Sequence, residues 1–326
     1  MKRKFLSMFF ISIMLIATVF ILTGCGKGEK ADTNSNNNSS SENNKYASED
    51  LLLFKFNEEK KTATLTGISD KTVAKVKIPE KVAKEGNTYT VTAIGNRSFS
   101  NCENLEEVVI PNTISILAID SFSHCTKLDN VIIPNSVKEI GDEAFYECTS
   151  LKNITISDGV TKIGSNAFYK CTSLTDVTIP NSVTSIDSFA FFYCENLENI
   201  KLSSNLDSIS RSMFQGCKSL KSINLPNKIT RIGDSAFSGC TNLNNITIPT
   251  SVTLIEVLAF SNCSSFTEIT IPSSVKRIEK FIFESCKNLK NIYIESTKED
   301  LDGSNFLSDF YLKDMNIEGC VVHWKE

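Results

Sequence analysis

Apolar residues along most of the chain fall into short alternating runs such as Val177-Thr178-Ile179, followed by a spaced pair such as Val183 and Ile186 and then an Ala-Phe step such as Ala190-Phe191. Alternation of β-branched and polar residues predicts a short strand. Proline follows at Pro111, Pro134, Pro180, Pro226, Pro249 and Pro272, where it ends ladder pairing on one side. The V-x-x-I pair suits a second short extended piece or a turn, and the A-F-x-x segment before the next cysteine suits a short helical turn.

These runs recur with a fixed period. Cys102, Cys125, Cys148, Cys171, Cys194, Cys217, Cys240, Cys263 and Cys286 are each 23 residues apart, with no insertion or deletion between them. Counting positions from the cysteine, −3 is phenylalanine from Phe99 to Phe283, and +3 is leucine except at Phe266. Positions +6 and +8 are always Val, Ile or Leu, and +12 and +15 are aliphatic in every complete repeat. A unit this short encloses no core by itself. Stacked copies bury the same inward positions as continuous columns, so the pattern predicts a repeat solenoid.

The period and the wording "IPNSVTSI…AFYKCTSL" resemble the BspA-like leucine-rich repeats of bacterial surface proteins. The likeness is strongest over 148–170, 171–193 and 240–262 and extends from Ile78 to Ile294. It implies a β-rich leucine-rich-repeat stack of short strands and turns with short helical turns. It also implies a surface module that binds host or neighbouring-cell proteins. Gly95, Gly141, Gly164 and Gly233 match the family glycine, whereas Ala118, Asp187, Ser210, Glu256 and Glu279 depart from it, so that turn does not need positive φ in every repeat.

The ends break the register. Leu51 to Gly67 alternates on both sides of a charged "NEEKK" turn and predicts a capping β-hairpin. Extra residues around "AKEGNTYTV" predict a bulge in the first repeat near Gly86. After Ile294, "KEDLDGSNFLSDFYL" predicts a helix or loop and "CVVHWKE" a last strand, together an irregular C-terminal cap. Residues 49–93 are thus expected to form the N-terminal cap and first irregular repeat, 94–294 the regular repeats, and 295–326 the C-terminal cap.

The first residues point to export. Basic Met1-Lys-Arg-Lys4 precedes a largely apolar stretch from Phe5 to Leu22, as in a secretory signal peptide. A membrane-spanning anchor is the competing reading, since a stretch of that length could just cross a bilayer. "LTGC" at Leu22 to Cys25 resembles the bacterial lipobox. The resemblance implies removal of residues 1–24, lipidation of Cys25 and a protein anchored to the bacterial cell membrane, facing outward. Residues 25–48 are rich in Ser and Asn and carry no hydrophobic period, which suits a disordered tether.

Composition narrows the chemistry. The formal net charge of −4 and the lack of a basic stripe disfavour nucleic acid. Eleven cysteines in an exported chain first suggest disulfides. In a stack, however, equivalent side chains point the same way about 4.8 Å apart, whereas disulfide Cβ atoms lie about 3.8 Å apart and turn toward one another. Zinc is disfavoured because no C-x₂-C pair occurs and no histidine recurs beside the cysteines. Catalysis would need one distinctive thiol with a base, and His124 beside Cys125 is a sequence neighbour rather than a facing partner. The nine therefore read as small buried hydrophobes, with Cys320 a buried cap residue. No enzyme motif, cofactor site or metal site stands out.

Surface columns remain as candidate function. Position +7 is mainly polar (Thr155, Thr178, Thr247 and Thr270 among others), as β-propensity alone would give. Position −2 carries Tyr146, Tyr169 and Phe192 on consecutive repeats, with Tyr193 adjoining. These rings either stack over a core edge or form an anchor patch for a protein or glycan ligand. An envelope-associated structural protein without a dedicated ligand is the alternative function.

Overall fold

A computed structural model describes residues 46–303, 307 and 309–326. Cys25, the signal sequence and nearly all of the tether lie outside the described residues. The repeats form a β-solenoid of about nine turns, each here called a rung, with almost no helix. No helix among the described residues is long and apolar enough to cross a membrane.

Each regular rung has three sides. On the first, strands such as Asn130–Ile133 and Asn153–Ile156 pair in parallel with their equivalents 23 residues away. Alternation puts Val131, Ile133 and Val177 inside and their neighbours outside. This ladder is interrupted after Lys201 and after Thr247. The second side is a ladder of two-residue strands such as Lys162–Ile163 and Ser185–Ile186.

The third side differs from the expected helical turn. Its backbone is a run of overlapping turns in which the N–H groups of Ala144, Tyr146 and Cys148 return to the carbonyls of Gly141, Glu143 and Phe145 at 3.1–3.3 Å. The alternate N–H groups, of Glu143, Phe145 and Glu147, instead donate to Ser165, Ala167 and Tyr169 of the next rung at 2.8 Å. Alternation requires left-handed backbone at −5 and −1, and every rung has it, with φ from 49° to 75° at those positions. Such residues cannot propagate a right-handed helix. The family glycine position has positive φ in no rung, where the sequence implied only that not every rung needs it.

Inside this side runs a stack of phenylalanines, Phe99 to Phe283, with neighbouring centroids 5.1–5.9 Å apart and planes within 3–18° of parallel. Beside it lie the cysteines, fully buried. From Cys125 to Cys286 each thiol donates at 3.0–3.2 Å to the carbonyl of the preceding rung's phenylalanine. The cysteine is thus a small hydrophobe that also supplies a directed, weak S–H donor. Hydroxyl ladders add to this on the surface. Thr149 and Thr172 donate to the carbonyls of Thr126 and Thr149, one rung back, at 3.5 and 3.4 Å.

At the N-terminal end, β1 (Leu52–Asn57) and β2 (Thr62–Ile68) form an antiparallel hairpin. β3 (Lys75–Lys77) starts the first ladder. The extra residues near Gly86 form a second hairpin, β4 (Lys81–Lys84) with β5 (Asn87–Ile94), rather than a bulge. Gly86, with φ +77°, sits in its turn, where a side chain would be strained. β5 pairs in parallel with β2 on one side and opens the second ladder on the other. At the C-terminal end, α1 (Asp309–Asp314) leads to Met315, whose carbonyl accepts the N–H of Ser285 at 2.7 Å. The strand Val321–Trp324 then pairs in parallel with Asn291–Ile294, and Cys320 is buried beside it.

Burial pushes the Cys148 thiol up to about 12 and that of Cys286 also to about 12. A thiol ionises near roughly 8.5 in an unfolded chain. Below that value the burial contribution is fully present, and it is lost as pH rises toward the folded value, by about 1.4 kcal/mol per pH unit for each thiol. The melting temperature is therefore expected to hold steady to about pH 8 and to fall steeply between about pH 9 and 11. Thiolate absorbance near 240 nm should appear together with unfolding. Thiolate signal beyond that of Cys25, Cys102 and Cys320 in a fully folded protein at pH 10 would refute the buried column.

Candidate functional site

The −2 residues are placed by the third side. Tyr146, Tyr169 and Phe192 each close a turn onto the carbonyl of residue −5 at 3.1 Å, and their own carbonyls accept the −1 N–H of the preceding rung at 2.7–2.8 Å. Backbone spacing thus sets ring spacing. Tyr146 and Tyr169 stack at 4.5 Å and 3°, and Tyr169 and Phe192 at 4.9 Å and 9°. His124 meets the first ring edge-on at 5.4 Å, and Tyr193 tilts against Phe192 at 4.6 Å. All four expected residues, Tyr146, Tyr169, Phe192 and Tyr193, are half-buried.

The structure adds Phe189, which the sequence reading did not single out. It packs edge-on against Phe192 at 5.6 Å and lies 5.7 Å beneath the guanidinium of Arg211. Its φ is +62°, a left-handed conformation that a bulky side chain rarely takes. The available signal was phenylalanine at −5, a column otherwise occupied mainly by polar residues.

Face-to-face stacking covers most ring faces, so the ridge presents ring edges and two neighbouring phenol groups. Desolvation, then Tyr169 and Glu147, hold the Tyr146 phenol above its ordinary range against the opposing effect of Lys170. Polar side chains run alongside: His124 Nδ1 lies 3.4 Å from Glu147, and Glu147 lies 3.0 Å from Lys170 Nζ. The Lys170 ammonium also sits 5.3 Å from the Tyr169 ring. His124 and Cys125 diverge, the imidazole toward Glu147 and the thiol inward to the Phe99 carbonyl.

The ridge ends abruptly. Beyond Phe192 the −2 column continues as Gln215, Ser238 and Ser261. The Tyr193 ring lies against Gly216, where a Cβ would come within 2.9 Å of its Cγ and where φ is +75°. Elsewhere, the +7 column carries Val109 at 36% and Ile132 at 61% exposure, above a groove of about 710 Å³ that Lys75, Asp129 and Lys152 help to line. No group of three or more His, Cys, Asp or Glu side chains among the described residues is arranged to hold a metal.

The family model of the BspA type leucine-rich repeat region matches residues 92–221 and 207–325, in 6 copies. Among solved structures, the chain is similar to a leucine-rich repeat protein from Bacteroides ovatus at 33% identity and a TM-score of 0.71, over 77% of this chain. It spans 65% of that protein's length. It is also similar to a leucine-rich repeat protein from T. pallidum at 27% identity and a TM-score of 0.56, covering 62% of this chain and 92% of that one. A leucine-rich cell surface protein from Faecalibacterium prausnitzii shares 24% identity at a TM-score of 0.40, over 78% of this chain and 96% of that one. No curated protein matches the chain.

Gly216→Ala is expected to cost about 2–3 kcal/mol, through left-handed strain and collision with the Tyr193 ring. Adding Tyr193→Ala removes only the collision. Urea denaturation of both single variants and the double variant should then show a coupling of about 1 kcal/mol or more. Strict additivity would mean that the ring does not rest on Gly216.

Proposed function

This chain belongs to the BspA-type leucine-rich repeat family, and from that premise we propose that it is a lipid-anchored cell-surface module that binds proteins through its aromatic ridge. The leucine-rich-repeat fold is a general protein-interaction scaffold without catalytic machinery of its own. The observation that carries the reading is the departure of one stretch of surface from the repeat. At −2, Tyr146, Tyr169 and Phe192 stand where other rungs place Ser, Gln or Glu. Tyr193 and Phe189 extend them from −1 and −5, the two left-handed positions that every rung shares. Aromatic side chains gathered on one surface supply the anchors that dominate protein interfaces.

The geometry favours a protein over a glycan as ligand. A sugar stacks on an exposed aromatic face, and here the faces of Tyr169 are taken up by Tyr146 and Phe192. Ring edges, phenol hydroxyls and the Glu147–Lys170 pair suit the carbonyls, amides and charges of a polypeptide. One observation favours the structural alternative: the rings are half-buried and satisfy one another. In that reading the ridge stabilises the stack and serves an envelope-associated protein with no dedicated ligand.

Anchoring rests on "LTGC" at Leu22 to Cys25. A lipidated Cys25, with each buried acyl CH₂ worth about 0.8 kcal/mol, would hold the protein at the membrane without a spanning helix. The Cys25→Ser variant is expected to lose incorporated radiolabelled palmitate and to leave the membrane fraction. Unchanged labelling would place the lipid elsewhere.

Capture of extracellular-matrix proteins and cell-wall material by the exported chain tests the ridge. The double variant Tyr146→Ala with Tyr169→Ala is expected to weaken captured-protein binding at least tenfold while still unfolding in one cooperative transition. Full binding by that variant would move the contact surface off the ridge.

A further inference from the structure

The strand Val321–Trp324 is the outermost of its sheet among the described residues, and its backbone has a particular arrangement. Val321 N–H bonds to the Lys290 carbonyl at 2.8 Å and Lys325 N–H to that of Ile294 at 3.0 Å, so the odd-numbered residues face the preceding strand. In a parallel ladder the alternate residues face the other way. The N–H and C=O groups of Val322 and Trp324 therefore point outward, and no described residue pairs with them. Their side chains end the inner columns of Ile292 and Ile294 and stay half-buried, whereas Ile292 and Ile294 are buried.

The surroundings have the composition of a contact site. Trp324 is the chain's single tryptophan. Tyr293, 40% exposed, stacks on His323 at 4.7 Å and 15°. Both line a cavity of about 560 Å³ together with Thr270, Ser273, Trp324 and Lys325. Val321 beside them is 51% exposed.

We propose that this edge receives an extended segment of a partner protein as an added β-strand, with apolar residues at alternate positions covering Val322 and Trp324. Unpaired backbone donors and acceptors specify a strand, and the half-buried inner side chains specify apolar residues opposite them. A second folded copy meeting edge to edge fits less well, because four residues bury far less than the roughly 1,200 Å² of a stable specific interface. The site is separate from the aromatic ridge, and each can fail without the other.

The probe is a fluorescein-labelled octapeptide of three threonine–valine pairs between two lysines, added to the full chain. Saturable anisotropy is expected. Methylating either the valine or the threonine amides should weaken binding at least tenfold for one set and less than threefold for the other, since only one set faces the edge. Amide exchange measured by NMR should slow at Val322 and Trp324 in the complex and stay constant at Val321 and His323. Val322→Pro, which removes an outward N–H and no internal hydrogen bond, should weaken binding at least tenfold. The methylated peptides keep the test decisive if that variant does not fold. Absence of saturable binding, indifference to both methylation sets, or slowed amides elsewhere would overturn the proposal. Dimerisation through this edge in sedimentation, without peptide, would overturn it in favour of a second copy.

Discussion

Hydrogen bonds from the third side of each rung to the next are the constraint on which the rest depends. The two strand ladders could form in many β-stacks. Here, alternate N–H groups of a turn-rich segment are aimed along the stack, as Glu143, Phe145 and Glu147 are toward Ser165, Ala167 and Tyr169. That aim forces left-handed backbone at −5 and −1, at a cost of about 1–2 kcal/mol per non-glycine residue. Each inter-rung bond returns about 0.5–1.5 kcal/mol, so packing must supply the remainder. The phenylalanine stack and the cysteine column lie directly beneath these bonds and provide that packing.

Seen this way, cysteine at this place has two reasons. Its volume fits between phenylalanine and the next rung, and its thiol adds a weak donor to a phenylalanine carbonyl that the turn already uses once. Serine would offer a stronger donor but more polar surface to desolvate, and alanine would offer none. The same spacing carries over to the outside. Rings at −2 stack because the backbone beneath them repeats, so the surface inherits the order of the interior. Outward columns, unlike the inward ones, carry different residues from rung to rung.

The inward columns were legible because a period without insertions makes Cys171 and Phe168 equivalent to their neighbours. The direction of the thiol was not legible, since burial alone does not say where a hydrogen points. Left-handed backbone also escaped notice. Its positions carry Arg97, Asp120, Leu258 and Phe281 as readily as Asn166, because inter-rung hydrogen bonding imposes the conformation and local propensity does not. Phe189 was missed for that reason: its column had no recognised role. Near Gly86 the surplus residues suggested a bulge, but there were enough of them to close a hairpin of their own. The ridge was legible as composition, whereas its edge-on presentation needed the ring planes.

Amide hydrogen exchange at −1 tests the central constraint most directly. Glu147, Lys170 and Tyr193 are turn residues with side chains at the surface, yet their N–H groups bridge rungs at 2.7–2.8 Å. They are predicted to exchange only through global unfolding, as slowly as the buried strand residues Ile154 and Val177. Exchange at the rate of an exposed loop would contradict a stack held together by its turns.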